Sequence, residues 1–266
     1  MTSSTTRPLA LVTGASSGIG RELAHEFAEH GFDLVVTAED ARLDAAAADL
    51  RTARVDVHAV RADLRTADGV EQLWSAVTAT GRPLDAVALN AGVGKGGAFV
   101  DTELADELAI IALNITSTVR LAKHVLRDMT ARDEGRVLIT SSVASTMPGS
   151  FQAVYNASKS FLQSFAEALQ EELRDTAVTV TSLMPGPTET DFFRRADMED
   201  TKVGASSKDD AGQVARQGFE ALMKGERRVV AGSRGTRAQE AVGKVIPDAL
   251  KAKMHRRMAE PGSADQ

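Results

Sequence analysis

Tyr155 and Lys159 stand four positions apart, so on a helix their side chains share one face, a turn from each other. A free phenol titrates near pH ~10, too high for acid–base work at neutral pH. An ammonium beside it favours the phenolate. Lowering the phenol by ~3 pKa units takes about 4 kcal/mol, at ~1.36 kcal/mol per unit. The pair therefore reads as a proton-transfer device, an acid toward a carbonyl oxygen or a base toward an alcohol. The chain contains one tyrosine and one tryptophan, so this phenol is not one packing ring among many.

Ser142 raises a second chemistry, because a serine served by a histidine attacks acyl groups. No G-x-S-x-G turn surrounds it. His25, His30, His58, His124 and His255 are all expected away from the strand-end loops, as scattered surface residues. There are no cysteines, which removes disulfides, thiol nucleophiles, Cys-ligated zinc and iron–sulfur clusters. No H-E-x-x-H and no clustered carboxylates occur, so no metal is expected.

Nearer the start, an apolar run leads into Thr13-Gly14-Ala15-Ser16-Ser17-Gly18-Ile19-Gly20, and a helical pattern follows at once. Glycines let a backbone turn sharply and pass close to a ligand phosphate. The helix start then offers unpaired N–H groups to a pyrophosphate. Alone, such a stretch is equally an ordinary tight turn; its place after the first strand of a βαβ chain favours the ligand.

The spacing is Gly-x-x-x-Gly-x-Gly after a threonine, and it resembles that of the short-chain dehydrogenase/reductase (SDR) family. Further marks of that family follow in order. They are Asp63-Leu64, Leu89-Asn90-Ala91-Gly92 (its NNAG, with Leu89 for the first Asn), Asn114 in LAIIALNITS, and Ser141-Ser142. Tyr155-Asn156-Ala157-Ser158-Lys159 matches its YxxxK signature, and Pro185-Gly186-Pro187-Thr188-Glu189-Thr190 its PG motif. Singly each has a bland reading: an exposed helix Asn, an N-cap, a turn. Together, over about residues 9–193, they are specific.

The resemblance implies an NAD(P)-dependent oxidoreductase that interconverts an alcohol and a ketone or aldehyde by hydride transfer. Tyr155 would be the general acid/base, and Ser142, thirteen residues earlier, would orient the carbonyl while Ser141 faces away. Lys159 would hold the nicotinamide ribose hydroxyls and, helped by the positively charged oxidised nicotinamide ring, lower the phenol pKa, and Asn114 would anchor a water relaying protons to Lys159. Gly14, Ser16, Ser17, Gly18, Ile19 and Gly20 would bind the pyrophosphate, Asp63 and Leu64 the adenine end. Asn90, Ala91, Gly92, Tyr155, Lys159, Pro185, Gly186, Thr188 and Thr190 would complete the cofactor site. Two alternatives share the fold: a regulator that binds cofactor without catalysis, and an isomerase or dehydratase using transient hydride transfer. The intact set Asn114, Ser142, Tyr155 and Lys159 favours an enzyme over the regulator.

The second strand ends in Thr37-Ala38-Glu39-Asp40-Ala41-Arg42, with no arginine at Glu39 and no base at Ser17. An acidic Glu39 repels a 2′-phosphate by ~1 kcal/mol per charge pair in water, so NAD(H) is favoured over NADP(H), with Arg42 the one group that could meet a phosphate. The substrate wall is expected from Val93, Ser142, Thr146, Met147, Phe151, Phe192, Phe193 and Met198. This mostly apolar lining fits an apolar alcohol or ketone, unless those residues only pack the loops down. By resemblance, the helices at 103–131 and 154–174 build a homodimer or homotetramer.

The rest of the chain must position these residues. It has 266 residues, 43% of them hydrophobic, enough for a sizeable core. With 31 basic and 37 acidic residues the net charge is −6, which argues against nucleic-acid or anionic membrane partners. No run nears the ~18 apolar residues of a membrane span, no secretory signal stands at the start, and a cytoplasmic location is expected. Apolar runs at 9–13, 34–37, 55–60, 86–89, 136–140, 178–183 and 228–231 read as strands covered on both faces. Helical patterns at 19–30, 41–51, 69–80, 103–131, 154–174 and 211–224 alternate with them. The expected fold is α/β: one Rossmann-type, doubly wound domain over 1–266, a parallel sheet of about seven strands with helices on both faces. Irregular stretches at 92–101 and 185–210 follow strand ends, where ligands bind. After Ile246 one more helix is expected, with a frayed polar end over about 258–266.

Overall fold

The computed structural model describes residues 7–237 and 247–264; the first six and last two residues, together with 238–246, lie outside that description. The apolar runs become β1 (Leu9–Thr13), β2 (Asp33–Ala38), β3 (Val57–Arg61), β4 (Ala86–Leu89), β5 (Gly135–Thr140), β6 (Val178–Pro185) and β7 (Arg228–Ala231). They align as β3-β2-β1-β4-β5-β6-β7, every neighbouring pair parallel. Parallel neighbours need crossovers, and helices supply them. These are α1 (Gly18–Glu29), α2 (Arg42–Leu50), α3 (Ala67–Ala79), α4 (Leu104–Ile110), α5 (Thr118–Arg132), α6 (Ala153–Glu172) and α9 (Ala211–Met223). Two short helices, α7 (Phe192–Arg195) and α8 (Lys202–Ala205), lie in the long loop after β6, and α10 (Asp248–Ala259) is last.

Period-two alternation sends successive strand residues to opposite faces. Ala10, Val12, Leu34 and Val36 pack with Leu23 and Phe27 of α1, Leu43 of α2 and Phe219 of α9. Leu9, Leu11 and Val35 pack on the other face with Leu73 of α3, Leu121 and Val125 of α5 and Leu162 of α6. All of β1, β2 and β4 is buried, which is why those runs are apolar without interruption. The strand order reverses direction between β1 and β4, and that switch point opens a crevice at the carboxyl ends of the strands.

Two expectations need correcting. The single helix anticipated over 103–131 is α4 and α5 joined by a π-helical stretch, Ile111–Ser117, that carries Asn114. Its wider turn re-aims side chains relative to an α-helix. The end of the chain is not frayed as far as Ala264. The Gly262 N–H donates to Asp200 Oδ2 at 2.8 Å, Ala264 N–H to the Asp200 carbonyl at 2.9 Å, and Lys202 N–H to Ser263 Oγ at 3.0 Å. These bonds dock the tail on the loop after β6.

Candidate active site

The strand ends at the crevice are tied into one rigid platform. Thr13 Oγ1, at the end of β1, accepts from the N–H groups of Asn90 (2.9 Å) and Ala91 (3.0 Å) just past β4. The Asn90 side chain donates to Thr13 O at 3.2 Å and accepts from Thr140 Oγ1 at 3.1 Å. The carbonyl of Thr140, the last residue of β5, then accepts from Lys159 Nζ at 2.9 Å. Three strands and α6 thus fix one ammonium.

Tyr155 lies one turn before Lys159 on α6, with Nζ 5.8 Å from its ring centroid. Its ring packs against Phe192, centroids 5.1 Å apart. Ser142 is buried beside it, near enough to draw the phenol pKa down, while Ser142 Oγ accepts from the Ala144 N–H at 3.1 Å and lies 3.5 Å from Pro185 O. Ser141 turns its hydroxyl onto the Lys159 carbonyl, 3.0 Å away. Adjacent residues on a strand end point oppositely, and here only Ser142 meets the phenol.

The protein's own groups do not lower the phenol. Burial pushes the Tyr155 phenol up to about 12, and the neighbouring Ser142 hydroxyl offsets this only in part. Burial also pushes the Lys159 ammonium down to about 8. Among the protein's own groups desolvation outweighs the attraction between the two. A lowered phenol pKa is therefore not supplied by Lys159 alone.

Asn114 is placed differently from a group open to the cleft. It is fully buried, its Oδ1 accepts from Val93 N–H at 2.9 Å, and its Nδ2 donates to Val93 O and Ser158 Oγ, both at 3.0 Å. Its amide is spent on holding the segment after β4 against α6. It lies behind the cleft wall, which Leu113 but not Asn114 lines.

The residues expected around a dinucleotide all line one continuous cleft. They are Gly14, Ser16, Ser17, Gly18, Ile19, Gly20, Glu39, Asp63, Leu64, Asn90, Ala91, Gly92, Pro185, Gly186, Thr188 and Thr190. Gly14 has φ +73°, and a Cβ there would lie 3.0 Å from Ala91 Cα. A Cβ on Gly20 would collide with the Gly14 carbonyl, so only glycine lets α1 start this close to β1. Ser17, the N-cap of α1, makes no side-chain cap, which leaves first-turn N–H groups toward the cleft for an anion. The donor set and the tight glycine turn fit a nicotinamide dinucleotide.

At the end of β2, Glu39 and Asp40 line the cleft. Arg65 holds Glu39 at 2.5 Å and also bonds Asp63. Arg42 holds Asp40 at 2.9 Å and Asp191 at 2.7 Å. Neither Arg42 nor Arg65 lines the cleft, although Arg195 does.

At the substrate end, Val93, Thr146, Met147, Phe192 and Phe193 line the cleft. Phe151 and Met198, expected beside them, do not. Phe151 sits at φ 64° and packs against the small cluster of Phe193, Ala196, Met198 and Ala259, with the Arg256 guanidinium 5.5 Å over its ring. Met198 is wholly buried in that cluster.

Other residues take part that the sequence reading did not select: Gln152, Val203, His255, Met258 and Ala259 all line the cleft. His255 is thus not a surface histidine. Its Nδ1–H donates to Ser150 O at 2.9 Å, its Nε2 faces Asn156 Nδ2 at 3.4 Å, and burial lowers its pKa. It serves neither Ser142 nor a hydrolytic pair. Lys251 Nζ donates to Thr146 O at 3.2 Å and Ser150 Oγ to Ala252 O at 3.2 Å, so α10 is stitched to the loop after β5. Gln152 was within reach of sequence reasoning, three residues before Tyr155 at the start of the same helix. Nothing local marks the α10 residues. Among the described residues no group of three or more His, Asp or Glu side chains could hold a metal.

A parallel sheet with a glycine turn at its switch point and a Tyr–Lys pair on the adjacent helix defines an NAD(P)-binding Rossmann protein. The family model for short chain dehydrogenase matches residues 8–201, and the chain belongs to that family of oxidoreductases. The 3-oxoacyl-[acyl-carrier-protein] reductase of Synechocystis sp. is 32% identical over 196 residues, 73% of this chain and 79% of that protein. A short-chain dehydrogenase from Sphingobium yanoikuyae, solved with NADPH, is 29% identical with TM-score 0.76, covering 91% of this chain and 97% of its own. A short chain dehydrogenase/reductase from Burkholderia phymatum, solved with NAD, shares the fold at TM-score 0.81 and 24% identity, covering 96% and 97%. The family match ends at residue 201, so α10 lies beyond it.

Proposed function

We propose that this chain interconverts an alcohol and a ketone or aldehyde with a nicotinamide cofactor, using Tyr155 as general acid and base. The observation that carries the reading is that Ser142, Tyr155 and Lys159 line one cleft, with Lys159 Nζ fixed on Thr140 O and 5.8 Å from the Tyr155 ring. The nicotinamide, when bound, supplies or accepts the hydride, and its oxidised ring adds the positive charge that favours a phenolate. Ser142 and Tyr155 direct their hydroxyls at the substrate oxygen. In reduction Tyr155 gives that oxygen its proton; in oxidation it takes one from the alcohol. Lys159 holds the nicotinamide ribose hydroxyls and stabilises charge at the phenol. Asn114 acts as a positioning residue, through Val93 and Ser158, rather than from the cleft. The lining at the substrate end favours an apolar carbonyl compound or alcohol.

NAD(H) is the favoured cofactor. Glu39 and Asp40 stand in the cleft wall with Arg42 and Arg65 outside it and Arg195 in it, 3.7 Å from Asp40; two carboxylates against one guanidinium disfavour a 2′-phosphate, whereas a 2′-hydroxyl finds acceptors.

A second copy of the chain is the proposed partner. Leu104, Leu108 and Ile111 are exposed at i, i+4 and i+7, and Phe161 of α6 is exposed as well, all on the two helical segments that by family resemblance pair in a dimer.

A panel of alcohols and ketones, followed by absorbance of the reduced nicotinamide, tests the reading. Turnover lost in Tyr155→Phe is expected. No turnover of any member by cofactor-loaded protein overturns it.

A further inference from the structure

Gln152 is only 7% exposed, directly precedes α6 and lines the substrate end of the cleft. Its side chain does not cap the helix and makes no hydrogen bond among the described residues. With neither donor nor acceptor engaged by the protein, the amide of this cleft-lining residue is free to bond a ligand. The donors of its polar neighbours are occupied, while Asn156 Oδ1 is buried without a partner among the described residues. Asn156 Nδ2 donates to Ala144 O at 3.2 Å and Met147 O at 3.3 Å, and His255 is committed to Ser150 O. The remaining wall is apolar: Met147, Phe192, Val203, Met258 and Ala259. Gln152 is therefore an uncommitted hydrogen-bonding side chain among the described residues that line the cleft beside these apolar groups.

It also stands close to the proposed reaction centre, as the N-cap of the helix that carries Tyr155 three residues on, and both residues line the cleft. A ligand bound at both the Tyr155 hydroxyl and the Gln152 amide carries a second oxygen besides the reacting one. We propose that Gln152 selects substrates bearing such a second hydrogen-bonding oxygen, hydroxy-ketones and diketones, over simple ketones of equal size. The assignment rests on the oxidoreductase reading above, and a simple ketone gives that oxygen's place to a methyl group, leaving the amide unpaired.

The test compares 4-hydroxy-2-butanone with 2-pentanone, a pair matched in size, on cofactor-loaded wild type and Gln152→Met. Wild type is expected to favour the hydroxy-ketone in kcat/KM by roughly three- to tenfold, the value of one hydrogen bond. In Gln152→Met the ratio falls to about one. Each ratio is taken within one preparation, so a partly folded variant does not distort it. Gln152→Glu, which keeps an acceptor and loses the donor, is expected to retain the preference for the hydroxy-ketone and to lose any preference for 2,4-pentanedione. A wild-type ratio near one, or a Gln152→Met ratio like that of wild type, overturns the assignment and leaves the oxidoreductase reading standing. Binding of the same pair, followed by saturation-transfer NMR, separates the remaining cases. Preferential binding that Gln152→Met abolishes, without turnover of either compound, supports Gln152 and overturns the oxidoreductase reading. Neither turnover nor preferential binding overturns both.

Discussion

Lys159 stands 5.8 Å from the centre of the Tyr155 ring, held there by the Thr140 carbonyl at 2.9 Å. No carboxylate pairs with this ammonium among the described residues, so its charge remains available to the phenol and to a cofactor. The same arrangement leaves the cation desolvated without a counter-ion, and burial lowers its pKa to about 8.

That depression makes stability depend on pH. The unfolded lysine keeps its proton to near its ordinary 10.5 while the folded one releases it near 8. Between those values the unfolded state binds more protons, so stability rises with pH through that window. Lys159→Met removes the titrating group. Denaturant unfolding at several pH values from 7 to 10 is expected to show a smaller rise for the variant than for wild type; parallel curves would contradict a buried ammonium.

Because the chain has one tyrosine, phenolate absorbance reports on Tyr155 alone. A free phenol is half ionised near pH ~10, whereas the folded protein, with Tyr155 pushed up to about 12, is expected to show almost no phenolate there. Adding the oxidised cofactor should move the titration down. In turnover, Tyr155→Phe should lose about 10²–10⁴ in kcat, read under saturating cofactor.

Asn114→Ala strands the Val93 N–H and carbonyl that the amide now satisfies. Each buried group left unpaired costs about 1–3 kcal/mol, so a clear fall in unfolding free energy is expected. Asn114→Asp should restore the acceptor for Val93 N–H but not the donor for Val93 O and Ser158, and so recover only part of the loss.

Removing one carboxylate from the end of β2 should weaken discrimination against a 2′-phosphate. With ~1 kcal/mol per charge pair in water, Glu39→Gln is expected to lower the NAD over NADP ratio of kcat/KM by roughly fivefold. A strong NADP preference in wild type would refute the charge reasoning.

Leu108→Glu places a charge in the middle of the exposed apolar row of α4. Light scattering is expected to give a multiple of the chain mass for wild type and a smaller species for the variant. A wild-type monomer would rule out the proposed self-association.

Much of this protein is written in short-range pattern. The seven strands and their helices are legible because burial on both faces demands uninterrupted apolar runs, and the Tyr155–Lys159 relation because four residues make about one helical turn. The glycine turn is legible because sterics near Gly14 exclude a side chain. What lay beyond the sequence depends on long-range contact or on burial. His255 reaches Ser150 across 105 residues, which no periodicity encodes, and the same docking of α10 brings Met258 and Ala259 into the cleft. Phe151 leaves the substrate wall because its backbone turns to φ 64° and its ring packs on a cluster built from the loop after β6 and α10. Asn114 withdraws behind the wall through a π-helical turn. The direction of the Tyr155 shift was decided last of all: proximity to a lysine is visible in one dimension, but desolvation, which opposes it and prevails, exists only once the surrounding layers have closed.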